Sequence, residues 1–157
     1  MCNRVFNKHN IFCSHFCSES EKCKISNKCS KACGVTCDKP CKSVVIANDN
    51  PNIIYSISRS AKKIGCKVVG ENYNGYDALR SALEIKPDIM IVSIELPGID
   101  GIEITNRLKN VSPNTKIIII SSIYNQDIIN LSYWAGAKFY LPLTFDELEL
   151  EEVLLAS

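Results

Sequence analysis

Five times between residues 43 and 155, a short apolar run rich in Val and Ile gives way to a longer segment with apolar residues three or four positions apart. No other feature of the chain constrains its fold as tightly. The runs fall at 43–47 (SVVIA), 66–70 (CKVVG), 89–93 (IMIVS), 116–120 (KIIII) and 138–141 (KFYL). Strands that are apolar without alternation suit a parallel sheet covered on both faces. The intervening segments read as helices. Asn50-Pro51 is an N-cap followed by Pro at the first helical position, and Ile54, Ile57, Ala61 and Ile64 form one face up to Gly65. Ala78, Leu79, Ala82 and Leu83 line a second helix over 75–86, which Pro87 ends. Ile102 and Leu108 point inward from a third over 100–110, in which Asp100-Gly101 marks the start. Helices over 126–135 and 145–155 complete the series, the last of them acidic.

Strict alternation of this kind predicts an α/β fold, a doubly wound five-stranded parallel sheet with right-handed crossovers. The working face of such a sheet lies at the C-terminal ends of its strands. There the third strand poses a puzzle. Its run IMIVS ends at Ser93, and the first carboxylate, Glu95, comes two residues later, before the turn LPGIDG.

The motifs at these strand ends resemble one family, the receiver domain of two-component response regulators. The resemblance covers residues 43–155, nearly three quarters of the chain. It rests on the five βα units, on LPGIDG at 96–101, on the serine pair after the fourth strand, on AGAKFY at 135–140 and on TFDEL at 144–148. It implies a flavodoxin-like (βα)5 fold. It also implies an Asp at the tip of the third strand that takes up a phosphoryl group, and an acidic pair after the first strand that holds Mg²⁺. A Ser or Thr after the fourth strand and a Lys after the fifth would bind the phosphoryl oxygens, and an aromatic on the fifth would report the change. Carried over position by position, the acidic pair is Asn48-Asp49, the acceptor is Ser93 and the hydroxyl is Ser121. The lysine position is Leu143, the proline after it Thr144, and the switch aromatic Tyr140.

Three of the four charged parts are thus missing together. Ser93 has no carboxylate, and a serine hydroxyl needs a general base to become nucleophilic. Asn48 is neutral, whereas Mg²⁺ is bound through one or two carboxylates together with substrate phosphate. Leu143 cannot neutralise a phosphoryl dianion. The expectation is a degenerate pocket of Asn48, Asp49, Ser93, Ser121 and Leu143, with Mg²⁺ weakly bound or not at all. The remaining polar residues also have plain structural readings. Asp49 would cap a turn, Ser121 and Ser122 would end a strand, Glu95 would be a solvated loop carboxylate and Tyr140 would pack.

The first 42 residues are different in kind. Eight of the nine cysteines lie there, at 2, 13, 17, 23, 29, 33, 37 and 41, and only Cys66 lies beyond. Eight basic residues against Glu19, Glu21 and Asp38 leave this stretch at +5, and the remainder of the chain at −4. Few large aliphatics are present, so the segment reads as a Cys-rich N-terminal extension (1–42) ahead of a receiver-like domain (43–157).

The run Cys13-x3-Cys17-x5-Cys23-x5-Cys29-x3-Cys33-x3-Cys37-x3-Cys41 makes those seven cysteines candidate ligands for zinc, with His9 and His15 as possible additions. An iron–sulfur cluster or another soft metal fits the spacing less well. Redox or crosslinking thiols and an unstructured tail are the other readings. Neither a signal-peptide core nor an apolar stretch of membrane-spanning length is visible, so a cytoplasmic, non-membrane chain is expected.

These readings converge on a non-enzymatic, phosphorylation-independent signalling module with a metal- or redox-responsive arm. Its expected partner is a protein (a regulator, a kinase or a second copy), bound through the 126–157 face around Trp134, Tyr140 and the acidic last helix. With net charge +1 and no segment beyond Ser157 to bind DNA, direct nucleic-acid contact is not expected. Two alternatives stand beside this: a metal-storage or thiol-redox protein on a receiver scaffold, and an atypical phosphorelay regulator using Asp49 or Glu95 as a displaced acceptor.

Overall fold

The computed structural model of the chain describes residues 41–157. The candidate ligands Cys13, Cys17, Cys23, Cys29, Cys33 and Cys37, with His9 and His15, lie outside the described residues. In chain order the elements are β1 (Ser43–Ala47), α1 (Pro51–Lys63), β2 (Lys67–Asn72), α2 (Gly75–Ile85) and β3 (Ile89–Ser93). Then come α3 (Gly101–Val111), β4 (Lys116–Ser121), α4 (Gln126–Ala135), β5 (Phe139–Pro142) and α5 (Glu147–Ala156). The strands form one sheet in the order β2-β1-β3-β4-β5, every pair parallel, as the βα alternation requires.

Burial explains why the inner strands are apolar throughout. Every residue of β3 is buried, and every residue of β4 but Lys116. Ile89, Ile91, Ile118 and Ile120 join Ile54 and Ile57 of α1 and Leu150 and Leu154 of α5 in one cluster. Met90, Val92, Ile117 and Ile119, from the alternate positions, meet Ala78 and Ala82 of α2 and Ile104 and Leu108 of α3 on the other face. Each fully buried Ile, Leu or Met contributes about 1.5–3 kcal/mol on transfer from water. Propensity differences of a few tenths of a kcal/mol per residue cannot compete with that.

All five helices start on an Asx cap: Asn50, Asn74, Asp100, Asn125 and Asp146 each accept a backbone N–H from the first turn. Such caps are worth about 1 kcal/mol apiece, and they tie the loop after each strand to a defined helix start.

Besides shifts of one residue at other element ends, the structure departs from the sequence expectations in three ways that bear on packing. β2 runs on to Asn72, because Ala47 pairs with Asn72 and the Asn48 N–H bonds to its carbonyl at 3.1 Å. The last helix starts at Glu147 rather than 145, since Asp146 serves as its cap. In α2 only Ala78 and Ala82 of the predicted face are fully buried; Leu79 is part-buried and Leu83 is exposed, because one residue on from Ala82 the helix has turned by about 100°.

At the foot of the sheet, Lys42 already belongs to the body. Its carbonyl accepts the Lys67 N–H at 2.8 Å, and its Nζ donates to Ser157 O at 2.5 Å, beside the end of α5. Cys41 Sγ donates to Gly65 O at 2.7 Å. The half-buried Cys66 thiol is pushed up to about 11, first by desolvation and then by Cys41, and so stays protonated at neutral pH. Among the described residues no helix is long and apolar enough to cross a membrane.

Candidate functional site

The strand order turns back between β1 and β3, so the loops after these two strands leave in opposite directions and open a crevice at their C-terminal ends. Asn48 follows β1, Ser93 ends β3, Ser121 ends β4 and Leu143 follows β5, so these positions lie along the C-terminal end of the sheet. Their chemistry there is mostly neutral. Asn48 is buried, and its Oδ1 accepts the Asn50 N–H at 2.8 Å. The turn-capping role expected of Asp49 therefore belongs to Asn48, and Asp49 is left exposed. Leu143 is part-buried against the cluster of α1 and α5, held by its N–H to Ser121 O at 2.8 Å.

Among the described residues, the carboxylate engaged with the strand tips is Glu95. Its Oε2 accepts from the Ser93 hydroxyl at 3.2 Å. Its Oε1 accepts from the Ser121 hydroxyl at 3.0 Å, and from the Ser122 N–H and hydroxyl at 2.9 and 2.5 Å. Burial pushes the carboxyl up, but the hydrogen bonds from Ser122 and Ser121 outweigh it and hold the group below the ordinary carboxylate range. Glu95 is a loop carboxylate as expected, with hydrogen bonds that the solvated reading did not include. The residue is exposed, yet its oxygens are taken up by three serines.

The turn that carries Glu95 is pinned on both sides. The Ile94 N–H donates to Ile120 O at 3.1 Å, and the Gly101 N–H donates to Ile94 O at 3.3 Å. From the sequence Ser122 was read as a strand-end residue of the serine pair, and Ile123 was not singled out. Their site partners arrive from other strands, which no local pattern shows.

Ser121 also links the site to the fifth strand. Its Oγ accepts the Ile123 N–H at 3.0 Å, and the Ile123 carbonyl accepts the hydroxyl of half-buried Tyr140. On α4, Trp134 is 78% exposed, with Leu131 and Tyr133 exposed as well. Among the described residues there is no group of three or more His, Cys, Asp or Glu that could hold a metal ion.

Residues 44–155 match the model of the response regulator receiver domain. The chain is 31% identical over 113 residues to the chemotaxis protein CheY of Thermotoga maritima, covering 72% of this chain and 94% of that one. It is 30% identical over 99 residues to the response regulator GacA of Pseudomonas aeruginosa, covering 62% of this chain and 46% of that one, so it spans about half of GacA. Its fold matches the CheX–CheY–BeF3–Mg complex of Borrelia burgdorferi with a TM-score of 0.70 at 18% identity, over 73% of this chain and 87% of that one. With the family's strand order, its motifs in place and a relative matched along almost its whole length, the chain belongs to the response regulator receiver domain family.

Proposed function

We propose that this receiver domain signals without aspartyl phosphorylation, as a non-enzymatic module that acts on a protein partner. The observation that carries the reading is the hydrogen-bonded engagement of Glu95 with Ser93, Ser121 and Ser122, in a crevice whose third strand ends in serine. A phosphoryl acceptor needs a carboxylate at that strand tip, and the hydroxyl that would receive the transferred group is already bonded within the protein. Mg²⁺ fits the crevice poorly. Asn48 is neutral and its carbonyl oxygen is used by Asn50, so Asp49 is the only carboxylate of the acidic pair. The partner surface in this reading is the 126–157 face, where Trp134, Leu131 and Leu148 are exposed. A kinase, another regulator or a second copy of the chain would dock there.

Incubation with a small phosphodonor and Mg²⁺, followed by intact mass measurement in acid, tests the reading. The expected mass is unchanged. A phosphoryl adduct that hydroxylamine removes, as it does an acyl phosphate but not a phosphoserine, would restore the ordinary phosphorelay role.

The Cys-rich arm is proposed as a second, metal- or redox-responsive element, with zinc or another soft metal on Cys13, Cys17, Cys23, Cys29, Cys33, Cys37 and Cys41. Its support is the seven-cysteine spacing in a stretch with few large aliphatics, for which metal binding would supply folding energy. Anaerobic purification without added metal, followed by elemental analysis, is expected to return at least one equivalent of zinc or another soft metal per chain. A metal-free protein with freely titrating thiols would remove the metal assignment.

A further inference from the structure

We infer that the strand tips form an anion-binding nest whose ligand the chain supplies itself: the Glu95 carboxylate, acting as a tethered anion that fixes the Ser121–Ile123 loop and the Tyr140 side chain. The inference rests on the phosphorylation-independent reading above and names what holds the site in one arrangement.

The donors converge as they would on a free oxyanion. Two hydroxyls and a backbone N–H meet at one carboxylate oxygen, and a third hydroxyl meets the other. Bonds to an ionised acceptor are roughly twice as strong as those between neutral groups. Tethering strengthens the effect. Glu95 lies two residues past Ser93 in a turn pinned by the Ile94 and Gly101 amides, so its carboxylate is held near the nest at high effective concentration. With its carboxyl held below the ordinary range, it is ionised at neutral pH.

From the nest the constraint travels through three bonds. Ser121 Oγ donates to Glu95 and accepts from the Ile123 N–H, and the Ile123 carbonyl accepts from Tyr140. Ser121 is fully buried. If Glu95 is removed, its hydroxyl loses its acceptor and must turn to find another, which disturbs the bond it accepts from Ile123. The loop carbonyl that holds Tyr140 moves with it. The resulting arrangement is fixed by the protein's own side chain instead of by a transferred group.

The test is NMR on the full chain with Glu95→Ala, Glu95→Gln and the parent. In Glu95→Ala, amide exchange at Ser122 and Ile123 is expected to quicken about tenfold or more, the loss expected for bonds to a charged acceptor. The Tyr140 ring resonances shift, while the core amides of Ile91 and Ile119 keep their rates. Added acetate, a free carboxylate, restores the parent pattern. Glu95→Gln, which keeps one carbonyl acceptor, falls between the two and decides the matter if Glu95→Ala loosens the whole fold. Ile123 and Tyr140 signals in Glu95→Gln identical to the parent would overturn the inference, as would a change in Glu95→Ala that acetate leaves untouched. A phosphoryl adduct on the parent chain would overturn the function proposed above, whereas the comparison of Glu95→Ala, Glu95→Gln and parent is made on unphosphorylated protein and stands or falls by itself, so the two failures are distinguishable.

Discussion

Replacing Ser93 by aspartate, with Glu95 left in place, is expected to destabilise the fold and still yield no phosphoryl uptake. The substitution restores the carboxylate that an acceptor needs, but Ser93 is buried and its hydroxyl lies 3.2 Å from Glu95 Oε2. Two carboxylates at that separation repel by about 5 kcal/mol at the effective dielectric of a partly buried site. One of them must therefore hold a proton at neutral pH. If the introduced carboxyl holds it, that group is no nucleophile. If Glu95 takes it instead, the nest loses the charge its donors surround.

Urea unfolding is expected to show a loss of about 3–5 kcal/mol, the range for a buried charge left without compensation. Combining Ser93→Asp with Glu95→Asn should recover most of that loss, because the Ser121 and Ser122 donors become available to the new carboxylate. Phosphoryl uptake from a small phosphodonor is expected only when Asn48→Asp and Leu143→Lys are added, which supply the second metal-binding carboxylate and the cation. If Ser93→Asp alone were phosphorylated at parental stability, Glu95 would not be the occupant that the geometry makes it.

Gly75→Ala should have an equally large effect, by a different route. A Cβ at Gly75 would lie 1.9 Å from the Ile99 carbonyl oxygen and 2.7 Å from its carbon. Both obstacles are backbone, so neither can rotate away. The Gly75 N–H also donates to Pro97 O at 2.9 Å, which fixes the first turn of α2 against the loop leading from Glu95 to α3. Exchanging Gly for Ala inside a helix gains at most about 1 kcal/mol of propensity, and less at the first position. Overpacking against rigid neighbours costs typically about 1–3 kcal/mol and occasionally more. Here the clash is with main chain, so a net loss of about 3 kcal/mol is expected, read as a lower urea midpoint with an unchanged slope. Because the displaced loop carries Glu95, the Ser122 amide resonance should shift as well. An unchanged midpoint would mean that the loop and α2 part without strain.

The order and type of the ten elements were legible in the sequence, because each inner strand is an unbroken apolar run and each helix start carries an Asx residue. The replacements at positions 48, 93 and 143 were legible too, since motif and strand end fall together. The face that each isoleucine serves was not: Ile117 and Ile118 look alike in the sequence, yet they pack on opposite sides of the sheet.

Glu95 was named from the sequence, but its bonds to the serines were not legible there. In the sequence it is a loop carboxylate, and 26 residues separate it from Ser121. Its role depends on β3 lying beside β4 with Ser93 level with Ile120, which brings the two strand tips together. The same holds for Tyr140 and Ile123, which meet because β5 lies next to β4. The sequence by itself determined the βα scaffold and the serine where an aspartate would stand at the third strand's tip, because burial patterns and helix caps are local in origin. Only the tertiary structure decided what engages the crevice, because hydrogen bonds between strand tips depend on register and strand order, which periodicity does not carry.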